Sequence, residues 1–358
     1  MKKIKSTGLL LVGLAAWTGR FALTPAAAQP ADTVNSATMT AGDAARVTKP
    51  KPDLANVPYG PHERNVLDFW KARPDRLSKN GPGRPPLVIY IHGGGFRSGD
   101  KTSLRPAFLE ACLEAGFAVA AINYRLSHQA SSPAFMHDGA RAIQFLRANA
   151  NRYDFDPHRI AATGGSAGAG ISLWIGFHDD LADSASTDPI ARQSTRLTSM
   201  AVINGQCSYD PRFFAQHGIG QATEHPFITP FYGLDRSEFD TPKAHRLFVE
   251  AAPITYISAD DPPVLMLYAQ PDDPIPADAI AKRNDPTRPG ELPAPDPITN
   301  RAVHHPVFGR VLKAKLAALG VECTVHTNVR NPADYDGEVI AFFRRHFQPT
   351  PRPGKPNP

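Results

Sequence analysis

The sequence AATGGSAGAG occupies residues 161–170 and indicates that the chain folds around one serine. A short apolar run ends in two glycines, Ser166 follows, and small residues then lead into an apolar stretch. Gly164 and Gly168 flank Ser166 as G-x-S-x-G, a pattern typical of a tight turn between a strand and a helix. A side chain at either glycine would crowd that turn. The pattern therefore predicts a serine hydroxyl that stands clear of the backbone, with the free N–H groups of a helix N-terminus directed towards it.

A second glycine-rich motif, HGGGF at residues 92–96, follows the continuous apolar run Leu87–Ile91. Such a run is typical of a strand that is buried on both faces. Glycines let backbone N–H groups approach a ligand, and fixed N–H donors stabilise the oxyanion that forms during ester hydrolysis. We expect Gly93, Gly94 and Ala167 to be these donors. A phosphate-binding loop is the alternative, but no Gly-Lys-Ser/Thr sequence follows.

Strand-like and helix-like segments alternate along the chain. This order predicts an α/β fold with a mostly parallel central sheet and helices on both faces. The expected strands are residues 66–70, 87–91, 117–122, 160–163, 200–203, 264–268 and 321–327. The expected helices are residues 104–115, 138–150, 306–319 and 337–346. An insertion at about 208–259, rich in Phe, His and Pro, is expected to form a helical lid, and 271–303 a long loop rich in Pro and Asp.

The N-terminus has the features of an export signal. Residues 1–28 contain three early lysines, an apolar run and the small residues Ala26–Ala28 as a cleavage site. The apolar run is shorter than the about 20 residues that span a bilayer, so no stable membrane anchor is expected. We predict a secreted or periplasmic protein with a flexible leader at 29–56, one domain at 57–347 and a disordered Pro-rich tail at 348–358.

Composition limits the range of partners. The 358 residues are 42% hydrophobic, enough for one large α/β domain. Removal of the signal would take away four basic residues and lower the net charge from +5 to +1. With no basic block, the sequence argues against a nucleic-acid partner. Cys112, Cys207 and Cys323 fit neither a disulfide framework nor a zinc site, although two could pair after export. No metal or cofactor is predicted, and the oligomeric state is left open.

With these motifs, the chain resembles the α/β-hydrolase superfamily, in the branch of hormone-sensitive-lipase-like and bacterial feruloyl or acetyl esterases. The similarity covers most of residues 57–346. The glycine directly before the serine, Gly165, resembles the pattern of the feruloyl and acetyl esterases. The resemblance implies an α/β-hydrolase fold, Ser166 as the nucleophile, and an aspartate and then a histidine later in the chain. Further matching stretches are NYRL at 123–126, PITYI at 253–257 and PPVL at 262–265.

The acid is predicted at the end of a strand. In the sequence YAQPDDPIP at 268–276, Asp272 lies four residues before a proline, which resembles the family pattern. The resemblance gives Asp272 the role of orienting the histidine. Asp273 is the alternative acid, and a solvated acidic turn is the structural alternative.

The histidine departs from the family pattern. The family places it after the last strand, but residues 328–336 contain no histidine. His304 and His305 precede a proline, which suits the first turn of a helix. In a parallel sheet this helix begins at the same edge as the serine turn, so either residue could be the base. His326 and the absence of any catalytic histidine are the alternatives.

These residues lead to one leading hypothesis and two alternatives. The leading one is a secreted serine esterase for carboxylic esters, such as short-acyl, acetyl or feruloyl esters of carbohydrates. The first alternative is a non-catalytic protein of the same fold that binds a small-molecule or carbohydrate ester, because the usual histidine is missing. The second alternative is an amidase or peptidase.

Overall fold

The computed structural model describes residues 48–76, 83–220, 225, 227–275 and 301–348. Within these residues, eight strands form one sheet in the order β1-β2-β4-β3-β5-β6-β7-β8. The strands from β4 to β8 in this order are parallel. Strand β2 is antiparallel to both of its neighbours, β1 and β4. The strands are β1 (Leu54–Pro58), β2 (Val66–Trp70), β3 (Leu87–Ile91), β4 (Ala118–Ile122), β5 (Ile160–Gly165), β6 (Ser199–Ile203), β7 (Val264–Leu267) and β8 (Cys323–His326).

Helices cover both faces of this sheet. On β3, Leu87, Ile89 and Ile91 pack into one apolar cluster with α2, α4 and α8. Val88 packs into the other cluster, with α1 and α9. Since side chains alternate between the faces of a strand, a run of consecutive apolar residues serves both clusters. The helices are α1 (Pro106–Glu114), α2 (Ala134–Ala148), α3 (Ala150–Tyr153), α4 (Ala167–Phe177), α5 (Pro211–Gln216), α6 (Ile228–Tyr232), α7 (Pro242–Ala251), α8 (Val307–Ala318) and α9 (Pro332–His346).

The parallel strands end together. Ile91 of β3 is paired with Gly164, Gly165 of β5 with Ile203, and Ile203 of β6 with Leu267. The loops after β3, β5, β6 and β7 therefore leave the sheet at one edge. Both glycine-rich motifs and the segment with Asp272 follow these strands, so the fold brings the predicted site residues to the same edge.

The structure differs most from the sequence-based expectation in three places. Residues 54–56 of the expected leader belong to β1, because Leu54 pairs with Phe69 of the neighbouring strand. Helix α2 begins at Ala134 rather than at residue 138, and its first turn buries Phe135 and Met136. Helix α9 begins at Pro332 rather than at residue 337.

Other expectations fall partly or wholly outside the described residues. The export signal, residues 29–47 of the leader, most of the loop at 271–303 and residues 349–358 of the tail lie there. The predicted lid segment contains α5, α6 and α7. All three cysteines are buried and free in the structure.

A buried ion pair supports the loop that follows β3. Lys101 Nζ donates to Asp68 Oδ2 at 3.0 Å, and both side chains are less than one-tenth exposed. The second carboxylate oxygen of Asp68 accepts from the backbone N–H of Asn56 at 2.8 Å. The backbone N–H of Lys101 donates to Asn123 Oδ1 after β4. These contacts connect the antiparallel edge of the sheet to the glycine-rich loop.

We expect Lys101→Met to lower the free energy of unfolding by about 3 kcal/mol, because it leaves the Asp68 carboxylate buried without its cation. Urea denaturation measures this loss. The double variant Lys101→Met/Asp68→Asn should be more stable than Lys101→Met, since the amide oxygen still accepts from Asn56 and no charge stays buried. A double variant as unstable as the single one, or less stable, would contradict this account.

Candidate active site

The turn between β5 and α4 is pressed against the end of β3. A Cβ atom built on Gly164 would lie 2.4 Å from the carbonyl oxygen of Ile91, and one built on Gly168 would lie 2.0 Å from it. Real Cβ atoms essentially never come that close, and the obstacle is backbone, which cannot rotate away. Glycine is therefore required on both sides of Ser166, as the spacing predicts.

Ser166 itself has a strained backbone. Its φ of 53° and ψ of −117° place it in a region that residues with side chains rarely adopt. Its N–H donates to the carbonyl of Ile203 at 2.9 Å, and its carbonyl accepts from Gly170 at 3.0 Å, which holds the conformation. The serine is the N-cap of α4, so its side chain lies at the positive end of that helix.

The histidine of the HGGGF motif orients the glycine loop. His92 is buried and stacks on Tyr124, with 4.2 Å between ring centroids. Its Nε2 atom accepts from Arg64 Nη2 at 3.3 Å, so the proton lies on Nδ1, which donates to the carbonyl of Gly93 at 2.8 Å. Burial lowers the pKa of His92 to about 4, which keeps the ring neutral in neutral solution.

This contact determines where the next N–H group points. Across a trans peptide, the carbonyl of Gly93 and the N–H of Gly94 point in opposite directions. Because His92 holds the carbonyl on its own side, the N–H of Gly94 points away from the His92 ring. Gly93 lies next to the serine, since a Cβ atom built on it would lie 3.7 Å from Ser166 Cβ. Among the described residues, the N–H groups of Gly93, Gly94 and Ala167 have no acceptor, so all three predicted donors remain available to a ligand.

His304 is the histidine that the structure places on the serine. Its Nε2 atom lies 2.9 Å from Ser166 Oγ, within hydrogen-bond distance. The residue lies just before α8, which begins at Val307. A neutral imidazole at this distance can accept the proton of the hydroxyl.

His305, the other candidate of the pair, does not bind the serine in the structure, because both ring nitrogens have backbone partners. Its Nδ1 atom accepts from the N–H of Val307 at 3.1 Å, so the proton lies on Nε2, which donates to the carbonyl of Asp273 at 2.8 Å. The ring is only 3% exposed. His305 therefore caps α8 and holds the loop after β7, which is the helix-capping role expected of one member of the pair.

The carboxylate of Asp272 lies near Arg310 and His305 and is not bonded to His304, the histidine at Ser166. Its Oδ2 atom accepts from Arg310 Nε at 2.8 Å, and its Oδ1 atom lies 3.8 Å from His305 Nδ1. Among the described residues, Arg310 is the side chain that donates to the carboxylate, so a direct bond to the ring of His304 is not formed. Its predicted role as the orienting acid stays a prediction. Asp273, the alternative acid, contributes its carbonyl to His305 and to Arg301.

The sequence did not single out Gln206, which supports the position of His304. The side chain is buried, and its Nε2 atom donates to the carbonyls of Val303 and Asn204. Tyr209 donates a longer hydrogen bond of 3.5 Å to its Oε1 atom. Gln206 thus ties the residue before His304 to the end of β6. Its place just after a strand of the site edge was the only signal in the sequence.

A cavity of about 570 Å³ opens over the serine. The glycine-rich loop forms one wall, and Tyr209 and Phe227 from the insertion form another. The cavity is large enough for a small organic ester. The described lining residues are Gly94, Gly95, Phe96, Arg97, Ser98, Ser166, Ala167, Gln206, Tyr209, His225, Phe227, Val303 and His304.

The remaining predictions concern His326, metals and the membrane. His326 ends β8, is about half exposed, and its Nδ1 atom lies 3.5 Å from Glu338, so the structure pairs it with α9 rather than with the serine. In the described part of the chain, no group of three or more His, Cys, Asp and Glu side chains could hold a metal ion. No helix within the same residues is long and apolar enough to cross a membrane.

Comparison with known proteins gives a family and two relatives. Residues 76–282 match the model of the BD-FAE family. The chain is 31% identical over 228 residues to the esterase LipQ of Mycobacterium tuberculosis, which covers 62% of this chain and 50% of LipQ. It is 30% identical over 224 residues to the probable carboxylic ester hydrolase LipM of the same organism, covering 62% and 48%. The chain thus spans about half the length of these relatives.

Solved structures give the fold. A truncated form of a carbohydrate esterase from gut microbiota matches with a TM-score of 0.58 at 20% identity, over 82% of this chain and 95% of that chain. This likeness confirms the predicted α/β-hydrolase fold.

We expect Gln206→Met to slow the covalent labelling of Ser166 by a fluorophosphonate about tenfold, because the backbone before His304 loses its tether. Mass spectrometry of the labelled peptide over a time course measures the rate.

Gln144→Met is the matched control. Gln144 is also buried, and it donates to three backbone carbonyls, of Leu181, Ala191 and Gln193, away from the cavity. It should lower the thermal midpoint but leave the labelling rate of the folded protein unchanged. Equal labelling rates in the two variants would show that Gln206 is only a packing residue.

Proposed function

This chain belongs to the BD-FAE family, and from that membership and the geometry around Ser166 we propose that it is a carboxylic ester hydrolase. The observation that carries the proposal is the 2.9 Å distance between Ser166 Oγ and His304 Nε2. His304 at this distance is the proposed base, in place of the histidine that residues 328–336 lack. The non-catalytic alternative was motivated by that gap, and this contact removes its motive.

In the proposed reaction, His304 accepts the proton of Ser166 as Oγ attacks the ester carbonyl. The negative charge that develops on the carbonyl oxygen is held by the N–H groups of Gly93, Gly94 and Ala167. Loss of one such donor typically costs about 3 kcal/mol of transition-state stabilisation. His304 then returns the proton to the leaving alcohol, and water hydrolyses the acyl-enzyme by the same route in reverse.

Asp272 takes a supporting part in this proposal. Its carboxylate binds Arg310 of α8, and His305 joins the carbonyl of the next residue to the start of that helix. These contacts hold the loop after β7 against the helix that His304 precedes. Asp272 therefore acts on His304 through the position of α8, and the orientation of the imidazole depends on more than one side chain.

We propose that the substrates are short-acyl, acetyl or feruloyl esters of carbohydrates. The similarity to structures of carbohydrate esterases supports this class, as does the cavity of about 570 Å³ with Phe96, Tyr209 and Phe227 in its lining. The insertion at about 208–259, which contains α5 to α7, contributes Tyr209 and Phe227 to that cavity, and we propose that it is the lid.

The nucleophile and the base are tested by hydrolysis of p-nitrophenyl acetate and butyrate. Ser166→Ala should lower kcat/KM at least about 10³-fold, and His304→Ala about 10²- to 10⁴-fold, because each removes a reacting group. His305→Ala should cost less, since that ring holds a loop and touches no reacting atom. His326→Ala is the control and should keep the wild-type rate. Equal losses in His304→Ala and His305→Ala would contradict the assignment of the base.

We also propose export to the periplasm or the medium, supported by the basic, apolar and small-residue pattern of residues 1–28. Expression of the full chain in a bacterial host, followed by N-terminal sequencing of the exported fraction, should give Gln29 as the first residue. Protein that keeps Met1 and stays in the cytoplasmic fraction would rule out cleavage and export.

A further inference from the structure

Within the described part of the chain, one arginine at the cavity over Ser166 has no side-chain partner. Arg97 lies three residues after Gly94, and its backbone N–H donates to the carbonyl of Gly94 at 3.0 Å, so the residue is anchored to the glycine loop. The residue is exposed and contributes to the lining of the cavity. Among the described residues, its guanidinium has no hydrogen bond, ion pair or ring contact.

Two other arginines near the glycine loop are different. Arg64 donates to the carbonyls of Tyr124 and Gly99, and Arg125 forms a bidentate ion pair with Asp138. Their charges are already used to hold the loops around the oxyanion motif. Of these three arginines, Arg97 is the one whose charge the described contacts leave for the cavity.

The described lining of the cavity offers no negative charge to balance Arg97. The described lining residues include no aspartate or glutamate. The carboxylate of Asp272 is bound to Arg310 and is not part of the lining. The start of α4 adds a further positive potential at Ser166. A ligand with a carboxylate would therefore meet a complementary field there.

We propose that Arg97 binds a carboxylate of the substrate, and that the preferred substrates are esters with a negative charge on the acyl or the alcohol part. The guanidinium presents a fork of N–H donors that matches a carboxylate in bidentate geometry. The proposal rests on the proposed ester hydrolysis at Ser166. It adds to that proposal a substrate class that the family match does not give.

The test compares charged and neutral esters in matched pairs. For the alcohol side, 4-acetoxybenzoate is compared with its methyl ester. For the acyl side, mono(4-nitrophenyl) glutarate is compared with 4-nitrophenyl pentanoate. The measured quantity is the ratio of kcat/KM for the charged ester to that for the neutral ester, in wild type, Arg97→Gln and Arg97→Glu. Intrinsic differences between the two esters cancel when the ratios of two enzymes are compared.

In at least one pair, Arg97→Gln should lower this ratio about fivefold, and Arg97→Glu should lower it further, as expected for an ion pair at a partly exposed site. The wild-type ratio should fall with added salt, because screening weakens the attraction. The pair of esters whose ratio falls in Arg97→Gln shows whether Arg97 binds a carboxylate on the acyl side or on the alcohol side. Arg344→Gln, an exposed arginine near the end of α9, is the charge control and should keep the wild-type ratio.

Two negative results are distinguishable. If wild type hydrolyses all four esters in a Ser166-dependent way, and the ratios are the same in Arg97→Gln and wild type, the role of Arg97 is overturned and the esterase proposal stands. If wild type hydrolyses none of them, both proposals fail together. A ratio that falls equally in Arg97→Gln and Arg344→Gln reflects net charge alone and also overturns the role of Arg97.

Discussion

The contact between the serine turn and the end of β3 determines the geometry of the site. The carbonyl of Ile91 occupies the space that side chains at Gly164 and Gly168 would need, because β3 and β5 are neighbours in register. Only glycine fits at these two positions of the turn. The sharp reversal of the chain leaves Ser166 with a positive φ. The HGGGF loop starts one residue after Ile91. One backbone contact therefore brings the nucleophile and the N–H donors together before any side chain acts.

The position of the proposed base follows from the topology of the sheet. A helix that connects two parallel strands begins at the edge where the preceding strand ends. Helix α8 connects β7 to β8, so its start lies at the same edge as Ser166, and His304 lies there rather than after β8. Gln206 donates to the carbonyl of Val303 and so holds the residue before this histidine, which lies outside the sheet. The fold thus permits a second origin for the base without any change in strand order.

What could be predicted from the sequence is what short-range patterns determine. Continuous apolar runs predicted the central strands, and glycine spacing predicted the serine turn with its donors. The choice between His304 and His305 was beyond such patterns, because adjacent side chains point in different directions and only tertiary contacts decide which reaches the serine. β1 was missed because three of its five residues are polar, small or proline, and pairing with β2 orders it. The partners of Asp272 depend on Arg310, which is 38 residues away.

The charges around the cavity connect these observations. Asp272 is neutralised by Arg310, and Asp68 and Asp138 are neutralised by Lys101 and Arg125, so these three carboxylates each have a cation. Arg97 and the start of α4 are left without a counter-charge among the described lining residues. A positive field that stabilises a developing oxyanion also attracts a carboxylate elsewhere on the same ligand. The charge distribution that suits the proposed chemistry therefore selects the substrate as well, and both follow from which acids the fold has already paired.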